Sequence, residues 1–266
     1  MQVILFKKIK ILGVKKQSQV KIGVILAGGR GTRLGWLGNF LPKSLIPVGQ
    51  KPMIYYIIRN LHSIGIKKIY ILINYKGKLI RDYLKNEPDF KKASFQFIHS
   101  QPNLGLAEVI SKTEKYIREP FIVILGDDFT LSSQINKLPI TKSPKTIVKQ
   151  AIILEKNRKI LSQTCEIYFN KKGQITRAVE KPIKPKASYR GCGLYYFKPQ
   201  IFDFIKKTAQ SDRTGKKEIT DTINLVGKEK KASVWLINGI NVNINTQDDL
   251  TEATKQLFLN GNKYFS

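Results

Sequence analysis

The segment Leu26-Ala27-Gly28-Gly29-Arg30-Gly31-Thr32-Arg33-Leu34, followed a little later by Pro42-Lys43, constrains this chain more than any other feature. An apolar run over residues 22–27 leads straight into a loop with three glycines. That is the pattern of a buried strand feeding a tight loop. Such a loop turns several backbone N–H groups into one concavity, where anions bind. Gly28, Gly29 and Gly31 are expected to allow close backbone approach and positive φ. Arg33 and Lys43 add two fixed positive charges, which suits the loop to a triphosphate. Two familiar phosphate-binding patterns are excluded. No Lys-Ser or Lys-Thr follows at the spacing of Gly-x-x-x-x-Gly-Lys-Ser/Thr, and Gly-x-Gly-x-x-Gly is absent.

Beyond the loop, apolar runs alternate with amphipathic stretches. Strands are expected at residues 21–27, 68–74, 94–99 and 121–125, with helices at 52–64, 77–85 and 106–116, the first opening on Pro52 at its first turn. This βαβα order predicts an α/β fold with a doubly wound, mostly parallel, Rossmann-like sheet, ligands binding at the carboxyl ends of its strands. After Gly126 the pattern turns antiparallel. Strands are expected at 146–155, 164–169, 174–180 and 193–197, with a hairpin turn at Lys171-Lys172-Gly173. Helices at 199–207 and 218–226, strands at 232–236 and 240–245, and a last helix over 247–259 complete the pattern. Residues 1–20 read as a basic extension and 21–266 as a single domain with two halves, 21–130 and 131–266.

The formal net charge of +28 raises the question of nucleic acid or an acidic membrane as partner. The 38 Lys outnumber the 9 Arg and lie along the whole chain in ones and twos, whereas base readout and bidentate phosphate contacts favour Arg. We therefore expect neither nucleic acid nor membrane as a partner. No apolar run approaches the roughly 18 residues of a membrane span. Two cysteines, Cys165 and Cys192, are too few for a disulfide framework and suit a cytoplasmic protein.

The glycine loop resembles the signature of the sugar-phosphate nucleotidyltransferases. That signature reads Leu-Ala-Gly-Gly-x-Gly-Thr-Arg-Leu, then Pro-Lys-x-Leu-x-Pro-Val, then Lys-Pro-Met. The chain supplies Leu26 to Leu34, Pro42 to Val48 and Lys51-Pro52-Met53 without a gap, with Trp36 and Gly38 where the family has Pro and Thr. The resemblance implies an Mg²⁺-dependent transfer of a nucleotidyl group from a nucleoside triphosphate, dTTP or UTP, to a sugar 1-phosphate such as glucose 1-phosphate. Leu26, Ala27, Gly28, Gly29, Gly31 and Thr32 would then hold the nucleotide, with Arg33 and Lys43 on its phosphates.

Further residues follow from the same resemblance. Gly126-Asp127-Asp128 closes the strand at 121–125, and carboxylates at a strand's carboxyl end suit Mg²⁺ or cap a turn. The family's metal-binding Asp falls on Asp127, and its second ligand on Asn243 or Asn245. Asn245 and Thr246 are also candidate caps of the last helix. Gln101 and Gly105 match a base-reading segment at a spacing one residue short. Glu180-Lys181 and Gly193 match the sugar-phosphate site. Thr164-Cys165 replaces the family's Tyr-Gly, placing a side chain where the hexose is contacted. A different base or acceptor, a weakened homologue, a basic nucleic-acid binder and a homo-oligomer all stay open at this point.

Overall fold

The computed structural model describes residues 20–132, 135 and 145–265. The basic extension read at residues 1–20 lies outside them except for Val20. The described chain opens with β1 (Ile22–Leu26), α1 (Leu37–Phe40), the short ribbon β2 (Pro47–Val48) and β3 (Lys51–Pro52), and α2 (Met53–Ser63). Then come β4 (Lys68–Ile73), α3 (Gly77–Asn86), β5 (Ser94–His99), α4 (Leu106–Ser111), β6 (Phe121–Leu125) and β7 (Asp128–Leu131). The remainder is β8 (Val148–Leu154), α5 (Arg158–Gln163), β9 (Cys165–Phe169), β10 (Ile175–Glu180), β11 (Tyr189–Phe197), α6 (Ile201–Lys207), α7 (Ile219–Lys228), β12 (Ala232–Leu236), β13 (Ile240–Asn243) and α8 (Gln247–Phe265).

Four strands pair in parallel in the order β5-β4-β1-β6. The chain moves outward from β1 through β4 to β5, then returns to the other side of β1 as β6. The strand order therefore reverses between β1 and β6, and ligands of doubly wound sheets bind beside the carboxyl ends at such a reversal. Every residue of β1 is buried, as a central parallel strand requires. Ile22, Val24 and Leu26 face a core shared with α4, α6 and α7, while Ile25 joins the core under α2 and α3. Gly23 lets α2 approach closely, since a Cβ there would come within 2.8 Å of Leu61 Cδ1.

The sheet continues antiparallel. β11 pairs with β6 through its second half and with β9 near its start, and β8 pairs with β11. β10, antiparallel to β9, and β12, parallel to β8, complete nine strands. The turn expected at Lys171-Lys172-Gly173 joins β9 to β10, with Gly173 at φ +72° and Asn170 Oδ1 accepting from Lys172 N and Gln174 N at 3.0 and 3.1 Å. Among the described residues no helix is long and apolar enough to cross a membrane.

Several expectations need correction. Pro52 is extended and precedes α2, so it does not occupy the helix's first turn. The helix expected to reach residue 116 stops at Ser111, because Ser111 and Thr113 hydroxyls back-bond to Glu108 and Ile110 carbonyls and the chain tightens into turns. The strand expected from residue 193 starts four residues earlier, at Tyr189, and α8 runs on to Phe265. β7 and α5 are additions. α5 carried a readable signal in Asn157, whose Oδ1 accepts from Lys159 N at 2.9 Å.

Candidate active site

At the reversal point, Gly126 N donates to Leu26 O at 3.0 Å and ties the end of β6 to the end of β1. Of the three loop glycines, Gly31 alone has positive φ, +75°. Gly28 is needed for close approach instead, since a Cβ there would stand 3.2 Å from Asn74 Cβ. Gly29 faces the Lys43 side chain with room for a Cβ at 3.6 Å. Lys43 N donates to Gly29 O at 3.0 Å, so the Pro42-Lys43 turn folds back on the loop.

The side chains then converge. Lys43 Nζ donates to Asp127 Oδ2 at 2.6 Å and to Asn245 Oδ1 at 2.9 Å. Arg33 Nη2 donates to the same Asn245 Oδ1 at 2.7 Å. Asn245 Nδ2 donates to Asn243 Oδ1, which orients both amides. Pairing of β7 with β13 sets Asn243 opposite Asp128, and Ile244 N donates to Asp127 O at 2.9 Å. Residues 212 apart in sequence thus meet at one point.

The two aspartates diverge. Asp127 faces the cleft, 27% exposed, against 11% for Lys43. Asp128 turns inward and is buried. Its Oδ2 accepts from Gly193 N at 2.6 Å, and its Oδ1 from Thr130 Oγ1 at 2.8 Å and from Asn241 Nδ2. Burial pushes its carboxyl pKa up, against the pull of these donors and of Arg190. Gly193 therefore serves the support of β7, and a Cβ there would stand 2.9 Å from Asp128 Oδ2.

Asp127 Oδ2 and Asn245 Oδ1 already meet on one cation, the Lys43 ammonium. Among the described residues no group of three His, Cys, Asp or Glu is placed to hold a metal. The oxygen set is one carboxylate and two amides. It fits a hard cation that takes its remaining ligands from phosphate and water, as Mg²⁺ does. The capping question resolves between neighbours. Thr246 Oγ1 accepts from Asp249 N at 3.3 Å and Asp249 Oδ2 accepts from the amides of Asn245 and Thr246, so this reciprocal box caps α8 and frees the Asn245 side chain.

A cleft of about 300 Å³ opens beside the cluster. Leu26, Ala27, Gly28, Gly29, Lys43, Gln101 and Asp127 line it, together with Ser44, Asn74, Ser100 and an apolar wall of Leu104, Leu106, Val109 and Leu125. Asn74 and Ser100 directly follow β4 and β5, and their place at carboxyl strand ends was the available signal. Gly31, Thr32, Arg33, Gly105, Glu180, Lys181 and Gly193 are not part of the lining. A Cβ at Gly105 would stand 2.1 Å from Lys217 O, so its small size serves packing there.

Glu180 and Lys181 sit where β10 ends. Thr220 Oγ1 donates to Glu180 Oε2 at 3.0 Å, and burial raises the Glu180 pKa. Thr220 comes from the Glu218-Ile219-Thr220-Asp221 segment. Lys181 is exposed, with φ +48°, and its N donates to Thr164 O at 2.8 Å. Cys165 is buried beside them, with Thr220 Oγ1 3.9 Å from its sulfur. Burial, reinforced by the Glu180 charge, pushes its thiol pKa up, which removes it as a nucleophile.

Comparison with known proteins agrees with this architecture. The family described as Nucleotidyl transferase matches residues 22–258. The bifunctional protein GlmU of Methanocaldococcus jannaschii is 29% identical over 234 residues, which cover 88% of this chain and 53% of that protein. The chain thus spans about half the length of that relative. The UTP–glucose-1-phosphate uridylyltransferase AglF of Haloferax volcanii is 26% identical over 235 residues, 88% of this chain and 95% of AglF. The crystal structure of UDP-glucose pyrophosphorylase complexed with UDP-glucose shares the fold, with a TM-score of 0.80 at 22% identity over 90% of this chain and 99% of that one. A match that runs from the first residue of β1 well into α8 takes in the whole nine-stranded sheet, and the chain belongs to the nucleotidyl transferase family.

Proposed function

We propose that the chain transfers a nucleotidyl group from dTTP or UTP to a sugar 1-phosphate, glucose 1-phosphate first among them, releasing pyrophosphate. The observation that carries this reading is the convergence of Arg33, Lys43, Asp127 and Asn245 beside a cleft floored by the glycine loop. The acceptor phosphate is already an anion, so attack on the α-phosphorus needs no general base. Catalysis then rests on alignment and on neutralising charge that develops in the transition state. Arg33 neutralises the α-phosphate and the departing pyrophosphate. Lys43 holds charge at the α-phosphate, a role that requires it to exchange Asp127 for phosphate oxygen.

Asp127, with Asn245 or Asn243, would hold Mg²⁺, which supplies further neutralisation between the phosphates. Gln101 and the apolar wall at Leu106 and Val109 would receive the base. Residues 131–266 form the sugar half, with Glu180 accepting from sugar hydroxyls and Lys181 holding the sugar phosphate. Cys165 fills a corner next to Glu180, which favours, as second reading, a cytidylyl or guanylyl transfer to, or a weakened homologue acting on, a phosphorylated acceptor other than glucose 1-phosphate, the acceptor being the part on which Cys165 bears.

The test is pyrophosphate release with Mg²⁺, glucose 1-phosphate and each of dTTP, UTP, CTP, ATP and GTP. Release with dTTP or UTP supports the first reading. Release only with CTP, ATP or GTP, or only when other sugar phosphates replace glucose 1-phosphate, supports the second, and silence with every nucleotide across that wider set of sugar phosphates overturns both.

A further inference from the structure

Between Gly31 and Lys43 the chain forms a strap that carries Arg33. One end of the strap is fixed at the phosphate cluster, where Arg33 meets Asn245 and Gly35, at φ +64°, lies against Gln247 at the start of α8. The other end is α1, a helix of four residues. So short a helix leaves its last carbonyls without internal partners. Here they are taken by the loop between β4 and α3. Tyr75 Oη donates to Asn39 O at 3.0 Å, and Lys76 Nζ donates to Asn39 O at 2.7 Å and to Phe40 O at 3.1 Å. Arg30, from the glycine loop, lies 5.1 Å over the Tyr75 ring.

Lys76 adopts φ +48°, a left-handed conformation disfavoured for a side chain of this size. It does so as the N-cap of α3, two residues after Asn74, which lines the cleft. Within the strap, Gly38 packs so closely on the loop that a Cβ would stand 2.3 Å from Gly31 O. Displacement of α1 is therefore transmitted to Gly31 and to Arg33.

We propose that Tyr75 and Lys76 are positioning residues that latch the strap across the mouth of the cleft and so hold Arg33 in reach of the triphosphate. The consequence for nucleotide rests on the transfer reaction proposed above, whereas the latch itself does not. A loosened strap leaves Arg33 averaged over several positions, and misplacement of a phosphate clamp by about 1 Å costs up to about a hundredfold in rate.

Lys76→Gly is the informative variant, because glycine keeps the left-handed backbone while it removes the side chain that carries the ammonium. Combined with Tyr75→Phe, it should speed chymotryptic cleavage after Trp36 and Phe40 by at least about fivefold, since the bond must leave the fold to be cut. It should lower kcat/KM for the nucleotide by about tenfold while KM for the sugar phosphate stays within about twofold. Lys76→Arg should retain the cleavage rate of the parent. Cleavage at the parent rate overturns the latch, and faster cleavage with unchanged nucleotide kcat/KM overturns its positioning role. A parent that releases no pyrophosphate with any nucleotide refutes the reaction instead, and the cleavage rates still decide the latch.

Discussion

The cleft at β1 and β6 and the corner at Glu180 are built differently. The cleft draws its floor from one contiguous stretch, Leu26 to Gly29, whose backbone does much of the work. The Glu180 corner is assembled from the end of β10, the start of β9 and the start of α7, so that Glu180, Cys165 and Thr220 meet only through sheet pairing and helix docking. Cations are concentrated at the first, where Arg33 and Lys43 share one amide oxygen. The second is a half-buried carboxylate beside an exposed lysine. In the proposed transfer, a triphosphate would meet fixed positive charge and backbone amides that the loop supplies locally. A sugar would meet hydroxyl partners at several angles, which the tertiary corner supplies.

Substitutions can break that contrast. Asp127→Ala and Arg33→Ala should each lower kcat/KM at least a hundredfold, about 2.7 kcal/mol of transition-state stabilisation, with little change in circular dichroism. Near-normal turnover in either variant would place the chemistry elsewhere. Two glycines sharpen the picture. Gly105→Ala should destabilise the protein by about 1–3 kcal/mol in urea melts, because its Cβ would press on the Lys217 carbonyl. Gly29→Ala should leave the melt near that of the parent and raise KM for the nucleotide, because its Cβ has room and faces the cleft. Equal destabilisation of the two would deny that one glycine serves packing and the other the ligand.

Glu180→Gln should raise KM for the sugar phosphate by about tenfold, some 1.4 kcal/mol, with KM for the nucleotide unchanged. An equal rise in both would remove Glu180 from a separate sugar corner. The smallest effect is in acid stability, and it divides the β9–β10 hairpin. Burial works against the charge of Glu166, but the amides of Ala187 and Lys186 and the Tyr168 hydroxyl outweigh it and lower its pKa. Its stabilisation is therefore full above the ordinary carboxylate range and is lost as pH falls through its lowered pKa. Glu180, raised by burial, has the opposite sign, and its charge costs stability as pH rises from the ordinary carboxylate range through the raised value. Thermal midpoints from pH 7 to 3 should fall less steeply in Glu166→Gln and more steeply in Glu180→Gln than in the parent. Parallel curves for all three would contradict both assignments.

Much of the parallel half was legible because its signals are local. A buried strand reads as an unbroken apolar run, as at Ile22–Leu26 and Phe121–Leu125, and a phosphate loop as clustered glycine. β7 was not legible, because Asp128-Phe129-Thr130-Leu131 looks like a turn until β13 lies across it. Asn74 and Ser100 carry no motif of their own, and only the sheet brings their strand ends to Gly28.

The sequence by itself determined the glycine loop, its two cations, the carboxylate that ends β6 and the alternation that winds the sheet. Tertiary structure alone decided between near-equivalent neighbours. It turned Asp127 outward and Asp128 inward, gave the helix cap to Thr246 and the contacts with Arg33 and Lys43 to Asn245, and tied the strap to Lys76. The reason is physical. Backbone preference and hydrophobic period are properties of neighbouring residues, whereas the direction a polar side chain takes at a strand end depends on which distant donor or acceptor the fold sets opposite it.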